Sequence, residues 1–194
     1  MSDLNNFPEY LTHYYMEGDK PFRSITDLGD EDAKQILQKL NLRHDEGKTL
    51  GSFPDDYLDK RRVVEKELYE KFIKKGGVTT RRHPYYLWWD GKTIPEQFEL
   101  KDYTSIKIKL SDFPKESLSF TYPDSMGSIN ASKNPDLAKP YHGIVFTYDE
   151  ILEFFKTNEF PTGGWEKFGK VYFAKAIEVQ LWTDKPIIDY LENK

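Results

Sequence analysis

The nine residues RRHPYYLWW at positions 81–89 are the most informative stretch for predicting the fold, because they indicate a strand with two covered faces. Side chains alternate between the two faces of a strand, so consecutive residues of this stretch point in opposite directions. The alternation gives two aromatic sets: Tyr85, Leu87 and Trp89 on one face, Tyr86 and Trp88 on the other. A strand that is aromatic on both faces is expected to lie inside a sheet, with structure packed on each side.

Three helices are predicted before and after this strand from helix caps and apolar spacing. The first follows Asp30, the second covers about residues 53–75, and the third begins at the Thr147–Glu150 capping box. A shorter helix is predicted near residues 186–192. Further strands are predicted from alternating or β-branched and aromatic residues: 103–110, 118–122, 141–147 and 169–182, with 10–15 as either strand or helix.

The predicted helices fall mainly in the first half of the sequence and the predicted strands mainly in the second half. This segregation favours an α+β fold, in which a mostly antiparallel sheet from the C-terminal half packs against helices mainly from the N-terminal half. Length and the absence of a linker indicate a single globular domain over residues 1–194. Residues 123–140 are predicted to form a long irregular loop, because Gly, Ser, Asn, Lys and Pro recur there without a period.

The composition excludes several classes of protein. The chain contains no cysteine, which removes disulfides, thiolate zinc sites, thiol nucleophiles and iron–sulfur clusters. Its first ten residues, MSDLNNFPEY, lack the basic and apolar regions of a signal peptide. No apolar run reaches the roughly 18–20 residues of a membrane span. We therefore expect a soluble, cytoplasmic protein that does not bind membranes.

The common motifs of metal and nucleotide sites are absent. The chain has four histidines, and none of them is spaced to pair with another as a zinc ligand: His13, His44, His83 and His142. The sequence also lacks the HExxH and G-x-S-x-G motifs, the P-loop and the dinucleotide-binding fingerprint. It therefore predicts no metal and no cofactor.

Positive charge is concentrated in residues 60–83, where nine basic and three acidic residues give a local charge of +6. The remaining chain, with 19 basic and 30 acidic residues, carries −11. Such a segment attracts phosphate, nucleotide or nucleic acid, although a solvated helix face with i,i+4 pairs such as Glu67–Lys71 is the commoner explanation. Because the pI of about 5.5 opposes binding to duplex nucleic acid, the partner predicted here is a small anionic ligand.

Two residues are predicted to carry acid–base chemistry. Asp124 lies in a Pro-Asp-Ser turn after a predicted strand, and His142 precedes Gly143 where another predicted strand begins. A carboxylate and an imidazole that lie close together can exchange protons with a substrate. Structural roles compete with this hypothesis, since Asp124 would cap its own turn and His142 would be buried and hydrogen-bonded to the backbone.

Five further residues are predicted to bind the ligand: Arg23, Arg82, His83, Tyr122 and Tyr141. The arginines would anchor an anion by bidentate pairing, and the aromatic rings would stack on a planar ligand. The competing interpretation places the aromatic residues in the core or at an interface. Arg23 would then tie the N-terminal segment to an acidic surface.

Four segments resemble motifs of a family of bacterial proteins of about this length that has no established activity: YLTHYY at 10–15, PFRSITDL at 21–28, SFTYPDSM at 119–126 and PYHG at 140–143. This resemblance implies no catalytic residues. The chain is also similar to compact ADP-ribosyltransferase-like folds, which open with a His-containing aromatic strand and hold NAD with His, Arg and Tyr. That resemblance implies roles for His13, Tyr14 and Arg23, while the catalytic glutamate of that family has only Glu178 as a possible counterpart.

The function predicted from these patterns is binding of a small anionic or aromatic ligand in a cleft, with possible acid–base chemistry. A protein-interaction module without an active site is the alternative from a different class, and a protein partner is compatible with it. Nucleic-acid binding through residues 60–83 and ADP-ribosyltransferase activity are further alternatives.

Overall fold

A computed structural model describes residues 7–48, 52–90, 102–158 and 176–193, which contain five strands and five α-helices. The strands are β1 (Tyr10–Met16), β2 (Tyr85–Asp90), β3 (Tyr103–Lys109), β4 (Leu118–Thr121) and β5 (Ala176–Leu181). The helices are α1 (Asp30–Asp45), α2 (Tyr57–Lys74), α3 (Ser125–Ser132), α4 (Tyr148–Thr157) and α5 (Lys185–Glu192). Short 3-10 turns lie at Ile25–Asp27, Leu110–Asp112 and Lys115–Ser117.

The five strands form one antiparallel sheet in the order β3-β1-β2-β5-β4. The doubly aromatic strand β2 therefore occupies the middle of the sheet, as its sequence predicts. Thr12 pairs with Trp88, and Trp88 pairs with Glu178. Residues directly opposite each other in antiparallel strands share a face, so this row lies on one face and Leu87 and Trp89 lie on the other.

One face of the sheet is apolar and carries the largest core cluster. Leu87 and Val179 pack there with Ile151 and Phe155 of α4 and Ile187 of α5. Both helices are amphipathic, and α4 begins at the predicted capping box: Thr147 accepts from the Glu150 N–H, and the Glu150 carboxylate accepts from the Thr147 N–H. This cluster anchors the sheet beneath α4 and α5.

The opposite face is covered by α2 and α3. Leu68 and Phe72 of α2 pack with Ile129 of α3 against Trp182, directly after β5. Much of the face beneath these helices is polar, since the buried side chains of β4 and β5 include Ser119, Thr121, Glu178 and Gln180. The sheet therefore lies between two layers of helices, and α2 is the element that covers its polar side.

The α+β class and the antiparallel sheet are confirmed. Three of the five strands lie in the C-terminal half, and the two longest helices, α1 and α2, lie in the N-terminal half. Strands β1 and β2 come from the first half, and α3, α4 and α5 come from the second half. The aromatic strand at 85–90 takes the central position and pairs with one strand from each half, β1 and β5.

Three predicted segments differ from the structure. Residues 123–140 are not irregular throughout, because α3 forms at Ser125–Ser132 where the Asp124 side chain caps its first turn. Residues 141–147 do not form a strand and contribute only an isolated bridge between Phe146 and Phe120. The strand predicted at 169–182 is present as β5, and its first part, 169–175, lies outside the described residues.

No helix in the described ranges is long and apolar enough to cross a membrane.

Candidate functional site

His83, two residues before β2, contacts the carboxylate of Glu65 on α2. The His83 Nδ1 lies 2.5 Å from Glu65 Oε2, and the Tyr86 hydroxyl donates to Glu65 Oε1 at 2.9 Å. Because a carboxylate offers only acceptors, the contact places the proton of a neutral imidazole on Nδ1. The Glu65 side chain is 1% exposed and that of His83 is 25% exposed. Among the described residues His83 Nε2 has no hydrogen-bond partner, so it remains for a ligand or water.

Arg61 lies one turn before Glu65 and places a second charge in the same layer. Its guanidinium carbon stacks 3.9 Å from the centre of the Tyr86 ring, and its Nε lies 3.4 Å from Glu65 Oε1. Its Nη1 donates to Ser125 Oγ at 3.1 Å. Burial acts to lower the pKa of Arg61, but the electrostatic influence of Tyr86 and Glu178 raises that pKa overall. Arg61 therefore stays charged and balances Glu65 in the interior.

Glu178 on β5 brings a second carboxyl group to this face. Its Oε1 accepts from the Ser125 N–H at 3.1 Å and from Gln180 Nε2 at 3.0 Å. Burial raises the pKa of Glu178, and Asp124 adds to this effect while Arg61 opposes it. The protonated carboxyl group is thus favoured relative to an exposed glutamate.

Hydrogen bonds continue from Glu178 to β4 at the edge of the sheet. Gln180 Nε2 also donates to Thr121 Oγ1 at 3.0 Å, and the Ser119 hydroxyl contacts Gln180 Oε1 at 2.8 Å. The Trp182 indole N–H donates to Ser119 Oγ at 2.9 Å. Polar contacts therefore cross the face without a break. We call the residues that make them the polar layer: Arg61, Glu65, His83, Tyr86, Ser119, Thr121, Ser125, Glu178, Gln180 and Trp182.

Arg82 precedes His83 and lies over the same helix. Its guanidinium carbon is 5.3 Å from the centre of the Tyr69 ring, which is a cation–π contact. Tyr69 follows Glu65 by four residues on α2, about 6 Å along the helix axis. Arg82 and His83 therefore contact successive turns of α2, and the exposed guanidinium of Arg82 lies beside the imidazole in sequence.

Most of the positive charge at residues 60–83 is neutralised within the fold. Seven of the nine basic residues form ion pairs: Lys60, Arg61, Arg62, Lys66, Lys71, Lys75 and Arg81. Lys74 and Arg82 are the two that have no carboxylate partner within the described ranges. Arg82 is therefore the basic residue of this segment that is both unpaired there and adjacent to His83.

The two residues predicted to be catalytic are each bound by nearby backbone. Asp124 Oδ1 accepts from the Gly127 N–H at 2.7 Å and caps α3, which is the structural role considered for it. His142 Nδ1 accepts from the Lys139 N–H at 3.1 Å. Burial lowers the pKa of His142, while a hydrogen bond to the Leu137 backbone and the charge of Asp124 act to raise it. No hydrogen bond joins these two described side chains, so their joint proton transfer stays a prediction.

The two predicted stacking tyrosines pack on each other. The ring centres of Tyr122 and Tyr141 are 4.8 Å apart, and each ring also contacts Phe154 of α4, at 6.2 and 6.1 Å respectively. The Tyr141 ring lies 4.8 Å from that of His142. These rings therefore join the apolar side of the sheet, on the face away from α2.

The predicted site residues do not form one contact network. Two groups form, Arg82 with His83 and Tyr122 with Tyr141 and His142, while Asp124 caps α3 and acts on His142 through its charge. Arg23 is exposed just before the turn at Ile25–Asp27. The first group lies on the α2 side of the sheet, and the tyrosines lie on the α4 side. Of the predicted residues, the structure therefore joins His83 to the polar layer and places Arg82 beside it.

The residues implied by the ADP-ribosyltransferase resemblance lie on opposite faces of the sheet. The His13 Nδ1–H donates to the Tyr86 carbonyl at 3.0 Å, and His13 Nε2 accepts from the Phe22 N–H at 2.9 Å. Burial lowers the pKa of His13, and both of its ring nitrogens are bound by backbone. Strand register places His13 on the apolar face and Glu178 on the polar face. A site that needs both residues is therefore not formed.

Of the polar layer, only His83 is a site residue predicted from the sequence. Arg61, Glu65 and Gln180 were not identified, and Glu178 was named only as the counterpart of a glutamate in the ADP-ribosyltransferase resemblance. Arg61 and Glu65 share the helical spacing of the buried Leu68, a signal that this charged pair faces the sheet instead of solvent. Glu178 and Gln180 alternate with buried apolar residues on a strand that is paired on both sides. Polar residues in such a position indicate a buried network.

Among the described residues, no group of three or more His, Cys, Asp or Glu side chains is arranged to hold a metal ion. No family model, curated protein or solved structure matches the chain. The resemblance to a bacterial family thus stays a prediction, and the polar layer is described from its geometry alone.

Proposed function

We propose that the protein binds a small phosphate-bearing ligand over Arg82 and His83, and that His83 Nε2 exchanges a proton with this ligand. The observation that carries the proposal is the buried Glu65 carboxylate held 2.5 Å from His83 Nδ1. This contact fixes the imidazole from its inner side, while the ring stays partly exposed. A histidine held in this way serves as a general acid or base.

Glu65 acts as a positioning residue in this proposal. A carboxylate on Nδ1 fixes the tautomer and the ring orientation, and it stabilises the imidazolium that forms when Nε2 takes a proton. The Tyr86 hydroxyl and Arg61 hold Glu65 in turn, at 2.9 and 3.4 Å from its Oε1. Because Arg61 and Glu65 are buried, they keep the imidazole in place before any ligand arrives.

Arg82 supplies the attraction for the anion. A guanidinium pairs with two oxygens of a phosphate group, which gives both charge and orientation. The other arginines of the segment, Arg61, Arg62 and Arg81, are already bound to carboxylates. Arg82 is therefore the arginine that pairs with a phosphate beside His83.

The binding test is a titration of ¹⁵N-histidine-labelled protein with inorganic phosphate and, separately, with adenosine monophosphate. We expect the Nε2 resonance of His83, assigned with a His83→Gln variant, to move in a saturable manner. The resonances of His13 should stay in place, because both of its ring nitrogens are bound by backbone. An unmoved His83 resonance with both anions contradicts the proposal and favours the protein-interaction alternative.

A matched pair of charge variants separates a specific contact from general attraction. Arg82→Gln removes the proposed anchor, and Lys74→Gln removes the other positive charge of the segment that has no carboxylate partner in the described part of the chain. A lost hydrogen bond to a charged group costs about 1.5–3 kcal/mol, so Arg82→Gln should weaken binding by at least about tenfold. Lys74→Gln should change it little. Equal weakening by both variants would mean that only net charge attracts the anion.

A further inference from the structure

A cavity of about 540 Å³ lies at the end of the sheet where β1 begins and β3 ends. The segment before β1, the end of β2, the end of β3 and the start of α4 contribute to its lining, among them Phe7, Trp89, Lys109 and Tyr148. A volume of this size lies within the usual range of small-molecule sites. None of the seven site residues predicted from the sequence lines it, and neither does any residue of the polar layer.

The cavity has a preformed aromatic wall. Trp89, Phe113 and Tyr148 are all nearly inaccessible to solvent, and the Trp89 indole N–H donates to the Pro8 carbonyl at 2.7 Å. The Phe7 and Trp89 ring centres are 5.5 Å apart. Because these three rings are covered, the half-buried Phe7 ring, packed against Trp89, is the aromatic surface that the cavity offers to a planar ligand.

The charged residues of the lining favour an anion. Lys109 and Lys115 are both exposed, and they face a single acidic residue, Glu9. The Lys115 ammonium lies 4.6 Å from the centre of the Tyr148 ring, which holds a positive charge directly against the aromatic wall. Among the described residues neither lysine forms an ion pair, so both ammonium groups are available to pair with a ligand carboxylate.

We infer that this cavity binds a small aromatic carboxylate, with the ring against Phe7, which packs on Trp89, and the carboxylate between Lys109 and Lys115. The ring would bury its faces on the aromatic wall, and the carboxylate would gain charge-assisted hydrogen bonds. This site is separate from Arg82 and His83 and does not rest on the function proposed for them.

The test uses 2-naphthoate as the probe and follows the indole ¹H–¹⁵N signals of the full chain. We expect the Trp89 signal, assigned with a Trp89→Phe variant, to move in a saturable manner. The Trp182 signal, on the opposite face of the sheet, should stay in place. A Trp89 signal that does not move at millimolar 2-naphthoate overturns the inference.

Two controls test the charge requirement. Lys109→Gln should weaken 2-naphthoate binding roughly two- to fivefold, the range expected for an exposed ion pair. Lys107→Gln makes the same change two residues away, outside the cavity lining, and should have no effect. The uncharged analogue 2-naphthalenemethanol should bind more weakly than 2-naphthoate. Equal effects of the two lysine variants, or equal affinity of the two probes, would show that the cavity does not select an anion.

Discussion

His13 and His83 show how local contacts give one residue type two different roles. Both side chains contact groups near β2, but His13 uses both ring nitrogens on the backbone, at Tyr86 and Phe22. His83 uses one nitrogen, on the Glu65 carboxylate. The first arrangement satisfies a buried imidazole completely, and the second orients an imidazole that can still react.

We therefore expect diethyl pyrocarbonate to modify His83 before His13. The reagent acylates an unprotonated ring nitrogen, and in the neutral imidazole of His83 this nitrogen is Nε2, on a partly exposed ring. His13 has no ring nitrogen without a backbone partner. Peptide mass spectrometry after short exposures at neutral pH measures the two rates. Modification of His13 as early as His83 would contradict the assignment of these contacts.

Glu178 makes the stability of the protein depend on pH. Its pKa is raised above the ordinary value of 4.5, chiefly by burial. A raised pKa in the folded state means that the stabilising contribution is complete below about pH 4.5 and is lost as the pH rises through the folded-state pKa. Glu178→Gln cannot ionise, and its amide oxygen can still accept from the Ser125 N–H.

The difference in the free energy of unfolding, Glu178→Gln minus wild type, should therefore be larger at pH 8 than at pH 5. Each unit of pKa difference corresponds to about 1.4 kcal/mol. Urea unfolding of both proteins at the two pH values measures this change, and the contributions of His13 and His142 cancel in the comparison. A difference between the two proteins that is the same at pH 5 and pH 8 would show that Glu178 does not titrate in this range.

The stability of α3 depends on its first turn. Its sequence, SMGSINAS, has no apolar period, and its stabilisation comes from the Asp124 cap and from the packing of Ile129. Asp124 Oδ1 accepts from the Gly127 N–H at 2.7 Å. Ser125, the first residue of the helix, contacts both Arg61 and Glu178, so α3 also closes one side of the polar layer.

Asp124→Ala should lower the free energy of unfolding by about 1 kcal/mol, the usual cost of removing an N-cap side chain. Asp124→Asn keeps an acceptor oxygen at the cap and should retain most of the stability. Asp136→Ala removes an exposed carboxylate from the same part of the chain and serves as the control. Urea unfolding measures all three variants. Equal losses for Ala and Asn would show that the charge of Asp124, and not its cap, stabilises the protein.

The polar layer determines how α2 packs on the sheet. Arg61 and Glu65 are both buried, and each compensates the charge of the other.

Removing one partner of a buried pair leaves the other charge unpaired, so Arg61→Met should lower the free energy of unfolding by about 3–5 kcal/mol. Adding Glu65→Gln removes the remaining charge and should recover much of this loss. Guanidinium unfolding of the single and double variants measures the coupling, and strictly additive losses would contradict it.

The sequence predicted those features of the fold and the site that depend on local signals. The aromatic alternation at 81–89 predicted the central strand, and the Thr147–Glu150 spacing predicted the start of α4. Arg82 and His83 were identified for the same reason, as polar residues that enter an aromatic strand. The polar layer was not predicted, because Arg61 and Glu178 are far apart in sequence and only the pairing of β2 with β5 beneath α2 brings them together.

The tautomer of neutral His83 tests most directly whether Glu65 orients this imidazole. It is read from a two-bond ¹H–¹⁵N correlation spectrum at alkaline pH. The contact with Glu65 Oε2 predicts a proton on Nδ1 and an unprotonated Nε2. Glu65→Leu should abolish this preference, because the acceptor is then gone. A wild-type spectrum with the proton on Nε2 would contradict the proposal that Glu65 holds His83 ready for proton transfer.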